Sequence, residues 1–167
     1  ARSSREGIEA SSGEVVLVMD TDFTHDPDAI PVALHLVECF DLVSGSRFCA
    51  GGAMDDTPHY LASLLYNWLV RVVVRTQIQD NLGGYFAIRR DKLAQLPFDE
   101  IFFGYGDYYM RLLRFAEWAG LTVIEFPALY RARTRGASKS HFVRMLGSYT
   151  FALLRFQARS RRLARRW

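Results

Sequence analysis

Short apolar stretches alternate with longer amphipathic ones along this chain, and the two periods predict strands and helices in turn. Apolar runs rich in β-branched or aromatic residues predict strands at residues 14–19, 41–44, 85–88 and 121–125, with an extended segment at 129–131. Helical periodicity predicts helices at residues 3–11, 27–39, 58–75, 91–95, 107–119 and 142–167. Polar, glycine-containing segments at residues 49–57, 80–84 and 134–140 predict loops and turns. This alternation is typical of an α/β fold, in which helices cover a sheet.

Length and composition favour one folded domain. Half of the 167 residues are hydrophobic, which excludes a disordered chain. No apolar run approaches the roughly 18 residues of a membrane-spanning helix, and the only cysteines, Cys39 and Cys49, form no metal-ligand spacing. The chain has no initiator methionine and begins inside a predicted helix that leads into the first strand. We therefore expect a fragment of a longer domain.

The positive charge is almost entirely arginine, and much of it lies at the C-terminal end. The net charge is +3, only Lys92 and Lys139 are lysines, and six arginines fall within residues 155–166. Ahead of them, apolar residues at 142, 145, 146, 149, 153 and 156 recur at helical spacing. A basic amphipathic helix of this kind suits an anionic membrane surface. The alternatives are a core-packed helix with a solvated end and a nucleic-acid-binding tail, but no aromatic-basic interleaving supports the latter, so we expect no nucleic-acid partner.

The acidic motif Asp20-Thr21-Asp22 directly follows the apolar run of residues 15–19. Carboxylates at the end of a buried strand are costly unless they are paired or hold a cation. Two oxygen ligands at this spacing suit Mg²⁺ or Mn²⁺, and such an ion usually carries a phosphate with it. The alternative for an isolated motif is an Asx turn or a solvated loop.

Two families use carboxylates in this pattern for phosphate chemistry. In haloacid-dehalogenase-type phosphatases, Asp20 would be the nucleophile and Asp22 the acid/base. That family needs a lysine ahead of a later acidic pair, whereas Lys139 follows every plausible pair and Arg111 stands where the second acid is required. In nucleotide-sugar transferases, the two carboxylates and a divalent cation bind the diphosphate of the donor.

The motifs around the acidic pair support the second interpretation. They are residues 13–22, His25-Asp26-Pro27, the run Asp41-Leu42-Val43-Ser44-Gly45-Ser46-Arg47, residues 80–90, and Arg133-Thr134-Arg135-Gly136-Ala137-Ser138-Lys139. In their order and spacing the chain resembles glycosyltransferase family 2, and within it the polyprenyl-phosphate (dolichol-phosphate) mannosyl- and glucosyltransferases, over roughly residues 7–139.

The resemblance implies the A-type glycosyltransferase fold, a Rossmann-like, mostly parallel sheet flanked by helices. Residues 1–140 would be the C-terminal part of the catalytic domain, without its first strand–helix units. Residues 141–167 would be the basic amphipathic helix, at the cytoplasmic face of a membrane. The pocket for the nucleotide base would lie outside this chain.

The resemblance also implies roles for residues of the acidic loop and the strand after it. Asp20 and Asp22 would hold Mg²⁺ or Mn²⁺ with the donor diphosphate, and Thr24 would support that metal site, although the family often has Gln or Ser there. Arg47 would lie near the reaction centre and bind phosphate. The alternative for Arg47 is an arginine at a strand end that pairs with a nearby acid.

The later motifs would contact the sugar and the acceptor. Asp80 and Gly83-Gly84 match the family's Asp-x-x-Ser-Gly, with Gly83 in place of serine. Asp80 would hydrogen-bond the sugar or cap the turn, and the glycines would allow either close approach of the sugar or a tight turn. Arg133, Ser138 and Lys139 match a mobile acceptor loop whose cations bind phosphates; the alternative is a solvated basic loop.

The family usually carries arginines just before its long middle helix, but residues 55–60 of this chain contain none. The nearest candidate there is His59. A lone histidine at a helix start is more typical of a cap or a surface position than of a ligand.

The implied reaction is the metal-dependent, inverting transfer of a hexose from a nucleotide-sugar to a polyprenyl phosphate. A phosphate monoester is largely deprotonated at pH 7, with a second pKa of about 6, and needs no general base. A hydroxyl acceptor would need one, and Asp107 is the candidate, since Gly104-Tyr105-Gly106-Asp107 resembles the region that carries the base in other members. The alternatives are a helix N-cap at Asp107 and, for the whole chain, an inactive membrane-peripheral module.

Overall fold

The structure is a computed structural model, and it describes residues 1–22, 24–104, 106–131 and 142–163, with the side chains of residues 147–159 in the last helix. The helices are α1 (Arg2–Ala10), α2 (Ile30–Leu36), α3 (Thr57–Val74), α4 (Arg90–Leu93), α5 (Phe98–Ile101), α6 (Tyr108–Trp118) and α7 (Phe142–Leu163). The strands are β1 (Val15–Val18), β2 (Leu42–Ser46), β3 (Ala53–Met54), β4 (Phe86–Arg89), β5 (Val123–Pro127) and β6 (Leu129–Tyr130). These elements confirm the predicted α/β class.

The helix predicted at residues 27–39 is shorter and begins later than expected. A 3₁₀ turn, Pro27–Ala29, comes first, and α2 follows it. Pro31 has no N–H with which to bond the Pro27 carbonyl, and the N–H of Ile30 takes that acceptor instead. The proline therefore separates the turn from the helix.

Strands β1, β4, β2 and β5 form the main sheet in that order. β2 and β5 are parallel, whereas β4 is antiparallel to both of its neighbours. Three of the four strands thus run in one direction, but β4 lies between β1 and β2 and runs against both. The sheet that was expected to be mostly parallel is therefore mixed, with β2–β5 as its parallel pair. The predicted loop at residues 49–57 also contains a short strand, β3, which pairs with β6.

The sheet has a hydrophobic layer on each face, because alternate side chains of a strand point to opposite sides. Leu42, Phe86 and Ile88 belong to the cluster that also contains buried residues of α1, α3, α6 and α7. Val43 and Ala87 belong to the second cluster, which includes buried residues of α2. The described residues therefore form three layers, helices on both sides of one sheet.

One edge of the main sheet gathers four loops. β1, β2 and β5 end at this edge, and β4 begins there, because β4 runs against the other three. The acidic motif follows β1, Arg47 follows β2, the Asp80 turn precedes β4, and Tyr130 lies just beyond β5. Ligands of α/β proteins bind outside the carboxyl ends of strands, so this edge is where a site is expected.

Candidate active site

The acidic motif forms a tight loop directly after β1. The carboxylate of Asp22 accepts two hydrogen bonds from Thr24 at Oδ1, from the N–H at 3.2 Å and from the hydroxyl at 2.7 Å. The side chain of Asp20 is 66% exposed. The Asx turn proposed as an alternative is therefore present, and it orients the Asp22 carboxylate. The metal-binding role of the two carboxylates stays a prediction.

Behind this loop lies His25, a residue to which the sequence assigned no role. The ring is fully buried, it stacks on Tyr85, and its Nδ1 accepts the N–H of Asp20 at 2.9 Å. Burial lowers the pKa of His25. The charge of Arg47 also lowers it, whereas the charges of Asp20, Asp22 and Asp80 raise it. Asp20, Asp22, Arg47 and Asp80 are thus within electrostatic reach of one imidazole.

The acidic loop is also tied to the end of β6. Arg131 donates through its N–H to the Thr24 carbonyl at 2.9 Å and through Nη2 to Asp26 Oδ2 at 2.7 Å. Oδ1 of Asp26 accepts the N–H of Asp28, and Asp26 is thus the N-cap of the 3₁₀ turn. Both hydrogen bonds lower the pKa of Asp26, and the one from Asp28 has the larger effect.

Arg47 and Asp80 form a buried bidentate ion pair. Nε and Nη2 of Arg47 donate to the two carboxylate oxygens of Asp80 at 2.7 and 2.8 Å, and the N–H of Arg47 donates to Oδ2 at 3.1 Å. The guanidinium also lies over the Tyr130 ring, 4.6 Å from its centroid. Pairing with a nearby acid is the alternative that the sequence left open for Arg47. The predicted contacts of Arg47 with phosphate and of Asp80 with sugar remain predictions.

The turn that carries Asp80 is held by the half-buried carboxylate of Glu125. Glu125 of β5 accepts the N–H groups of Gln79 and Asp80, both at 2.9 Å. At Gly83, a Cβ atom would lie 2.5 Å from the hydroxyl of Tyr130. The serine of the family's motif therefore has no space here, which gives the departure at Gly83 a physical reason.

Asp107 occupies the N-cap position of α6 but makes no capping hydrogen bond with its side chain. Its carboxylate instead accepts from Nη1 of Arg111, one turn further on, and Nε of Arg111 donates to the Ile101 carbonyl at 3.0 Å. The capping role proposed as an alternative for Asp107 is therefore wrong. This pair lines a cavity of about 290 Å³ between the start of α6 and α7, where Arg155 and Arg159 also lie.

Three predicted phosphate-binding residues, Arg133, Ser138 and Lys139, lie outside the described residues. The segment that contains them follows Arg131, which is bonded to the acidic loop. His59 pairs with Asp56, the N-cap of α3, at 2.5 Å between Nδ1 and Oδ2. Asp56 is thus the capping residue, and His59, whose side chain is 57% exposed, agrees with the surface interpretation.

The chemistry of the donor set fits Mg²⁺ or Mn²⁺ bound together with a diphosphate. Within the described ranges, no three His, Cys, Asp or Glu side chains come close enough to hold a metal ion by themselves. Mg²⁺ usually takes one or two carboxylates and completes its shell with water and substrate phosphates. Asp20 and Asp22 supply that number of carboxylates, on a loop that is exposed at Asp20 and anchored at Asp22.

Comparison with known proteins agrees with this geometry. Residues 1–96 match the model of Glycosyl transferase family 2. A dolichol-phosphate mannosyltransferase from Pyrococcus furiosus is 28% identical over 139 residues, which are 80% of this chain and 38% of that protein. An undecaprenyl-phosphate mannosyltransferase from Micrococcus luteus is 33% identical over 129 residues, 75% of this chain and 53% of that protein.

A third relative, the glycosyltransferase AglD from Haloferax volcanii, is 27% identical over 140 residues, 82% of this chain and 22% of that protein. The chain thus spans about half the length of these relatives, or less. The family match favours a transferase over a phosphatase for this chain. Since the matched family model covers more than half of the chain, this protein belongs to glycosyltransferase family 2.

Proposed function

We propose that this chain carries the donor-diphosphate site of an enzyme that transfers a hexose from a nucleotide-sugar to a polyprenyl phosphate. The observation that carries the proposal is the gathering of Asp20, Asp22, Arg47 and the Asp80 turn at one edge of the sheet. The two polyprenyl-phosphate mannosyltransferases among the relatives support this acceptor class.

Asp20 and Asp22 would hold Mg²⁺ or Mn²⁺, and the bound cation would neutralise the charge that develops on the leaving nucleoside diphosphate. Thr24 contributes by fixing Asp22 through two hydrogen bonds, from its N–H and from its hydroxyl. A carboxylate held in this way needs little reorganisation when the donor binds.

The acceptor phosphate would attack the anomeric carbon without a general base, since a phosphate monoester is already largely deprotonated at pH 7. Its positioning would depend on cations, for which Arg133 and Lys139, with Ser138 as a further donor, are the candidates. Arg47 contributes through Nη1, the guanidinium nitrogen that has no hydrogen bond to a described residue. Asp80 fixes the orientation of that guanidinium.

The test is isothermal titration of the full-length protein with nucleotide-sugars, with and without Mn²⁺, followed by turnover with a polyprenyl phosphate. We expect metal-dependent binding, and an Asp22→Asn variant that loses at least about a hundredfold in turnover because one metal ligand is neutralised. The matched control is Asp28→Asn, an exposed carboxylate on the following turn, which should keep wild-type turnover. Metal-independent binding, or unchanged turnover in Asp22→Asn, would count against the proposal.

A hydroxyl acceptor with Asp107 as the base is the second candidate for the same site. The hydroxyl of Tyr108 lies 3.8 Å from where a Cβ on Gly84 would be, so the start of α6 borders the site. However, Arg111 already donates to the Asp107 carboxylate. We expect Asp107→Asn to retain transfer, whereas loss of transfer with normal donor binding would favour the hydroxyl acceptor.

A membrane surface is the proposed location of the acceptor. α3 exposes a row of large apolar side chains: Leu61, Leu64, Leu65, Trp68, Leu69 and Val72. α7 contacts α3 through the Tyr66–Thr150 hydrogen bond and exposes Phe151 and Leu154. Residues 132–167 contain nine arginines, one lysine and no acidic residue. Apolar side chains beside such a cationic segment suit an anionic bilayer surface. In the described part of the chain, no helix is long and apolar enough to cross a bilayer.

A further inference from the structure

His25 lies directly behind the first carboxylate of the acidic motif, and packing holds its ring in one orientation. The side chain has no exposed surface. It stacks on Tyr85 with ring centroids 5.0 Å apart and meets Tyr130 edge-on at 4.6 Å. The backbones of His25 and Tyr130 also form an isolated antiparallel bridge. In a closely packed site of this kind, an aromatic ring has little freedom to turn.

The hydrogen bond with Asp20 defines where the imidazole proton lies. The N–H of Asp20 donates to Nδ1 of His25 at 2.9 Å, so Nδ1 carries the lone pair. The neutral ring then has its proton on Nε2, and a proton on Nδ1 would break the bond.

Nε2 of His25 is therefore a buried donor, and it has no hydrogen-bond partner among the described residues. The nearest carboxylate oxygen of Asp20, Oδ2, lies 3.9 Å away, on a side chain that is 66% exposed. A buried donor without a partner is costly. A small rotation of the exposed Asp20 carboxylate would bring Oδ2 into hydrogen-bonding distance and remove that cost.

The two carboxylates of the motif are thus controlled by different residues. Thr24 bonds the side chain of Asp22 directly. Asp20 is held through its backbone, by the hydrogen bond from its N–H to His25. Its carboxylate accepts no comparable hydrogen bond from the described residues. Of the described residues around Asp20, His25 is the one placed to hold both its backbone and its carboxylate.

We propose that His25 is a positioning residue, which orients Asp20 toward the cation and the donor diphosphate. This inference rests on the proposed function, because Asp20 is a metal ligand only within it. Donation from Nε2–H to the Asp20 carboxylate would orient that carboxylate as a ligand, as hydrogen bonds from outer residues do for metal-binding carboxylates. Loss of such an outer partner typically weakens metal binding about 10–100-fold.

The first test is the affinity for Mn²⁺, measured by electron paramagnetic resonance on the full-length protein with UDP or GDP present. His25→Phe keeps the aromatic packing but removes both ring nitrogens, and we expect it to weaken Mn²⁺ binding about 10–100-fold. His25→Asn keeps an acceptor near Nδ1 and should weaken binding less. The matched control is His35→Asn on α2, because His35 is 81% exposed and should leave the affinity unchanged.

The second test needs no variant. Nitrogen-15 resonances of the wild-type His25 ring should show the proton on Nε2, and the Asp20 amide should exchange slowly with solvent. A proton on Nδ1, or wild-type Mn²⁺ affinity in a folded His25→Phe variant, would overturn the positioning role alone. Absence of Mn²⁺ binding in the wild-type protein would overturn the proposed function and the positioning role together.

Discussion

At the scale of single residues, the Arg47–Asp80 pair is the most deeply buried charge interaction of the candidate site. Asp80 has no exposed surface, and Arg47 is nearly as buried. Burial alone would lower the pKa of Arg47, but the charge of Asp80 and its hydrogen bonds raise that pKa above the ordinary value. Arg47 therefore stays charged, and the buried charge is tolerated in the folded protein because Asp80 balances it.

We expect Asp80→Asn to destabilise the protein by about 3 kcal/mol, because it leaves a buried guanidinium without its counter-charge. The free energy of unfolding in urea measures this loss. The control is Glu6→Gln, which removes the exposed ion pair Arg2–Glu6 and should produce no measurable change. A loss below about 1 kcal/mol in Asp80→Asn would show that solvent reaches the pair in solution.

Gly83 gives a second prediction at this scale, since its missing side chain makes room for the Tyr130 hydroxyl. Gly83→Ala would place a Cβ 2.5 Å from that oxygen, while Tyr130 is held between His25 and Arg47. We expect a loss of about 2 kcal/mol from overpacking. The Tyr130 hydroxyl has no hydrogen-bond partner among the described residues, so Tyr130→Phe should cost little by itself.

In the Tyr130→Phe background, the effect of Gly83→Ala should shrink to below about 1 kcal/mol, because the clashing oxygen is gone. Thermal unfolding of the two single variants and the double variant measures the difference. Equal losses in both backgrounds would mean that the contact with Asp80, whose Cγ and Oδ1 lie 3.3 Å from the same Cβ position, excludes the side chain, and not the contact with Tyr130.

At the scale of secondary-structure elements, the junction of β2, β4 and β5 depends on one carboxylate. Asp41 precedes β2 and accepts hydrogen bonds from the N–H and hydroxyl of Thr122, ahead of β5, and from Arg89 at the end of β4. Burial would raise the pKa of Asp41, but the bonds from Thr122 and from Lys92 outweigh it and lower the pKa to about 2. The three strand ends are thus joined by an ionised group.

The lowered pKa predicts a pH dependence of stability. A carboxylate whose pKa is lower in the folded than in the unfolded chain stabilises the fold above the unfolded pKa of about 4. That contribution is lost as the pH falls through the folded value of about 2. We expect Asp41→Asn to lower the free energy of unfolding by about 2 kcal/mol at pH 6 and by much less near pH 2.

Urea unfolding at a series of pH values measures this difference. Asp91→Asn is the matched control, because the Asp91 side chain is 67% exposed in the same region, and its effect should be small throughout. A constant difference between wild type and Asp41→Asn across the range would show that the carboxylate charge plays no part at this junction.

At the scale of the whole molecule, the two faces of the sheet differ in what their helices expose. The helices α3 and α7 share one face and carry the exposed apolar row, with Leu65 at 68% and Trp68 at 58% exposure. We expect the protein to bind vesicles that contain phosphatidylserine, and Leu65→Ser with Trp68→Ser to lower the partition coefficient at least about tenfold. Vesicle co-sedimentation measures the bound fraction.

The opposite face provides the control for this prediction. Val32 and Leu34 of α2 are also exposed, but α2 packs on the other side of the sheet. Val32→Ser with Leu34→Ser should leave vesicle binding unchanged. An equal loss of vesicle binding in the two double variants would contradict a membrane-facing side formed by α3 and α7. Equal binding to vesicles with and without phosphatidylserine would contradict it as well.

The elements that the sequence predicts well are those with strong local patterns. The strand expected at residues 14–19 is observed at Val15–Val18, and the helix expected at 58–75 is observed at Thr57–Val74. The helix α5 and the strand β3 were missed. β3 has only two residues and exists because Ala53 and Met54 pair with Leu129 and Tyr130, far along the chain. A pattern formed by neighbouring residues cannot predict a strand whose pairing partner lies so far along the chain.

By itself, the sequence determined the α/β class, the position of Asp20 and Asp22 after the first strand, and the resemblance to a transferase family, because apolar periodicity and motifs are properties of neighbouring residues. The tertiary structure decided the direction of β4, the pairing of Arg47 with Asp80, and the burial of His25 between Tyr85 and Tyr130. These features depend on which distant segments meet at one edge of the sheet, and that is settled only when the layers pack together.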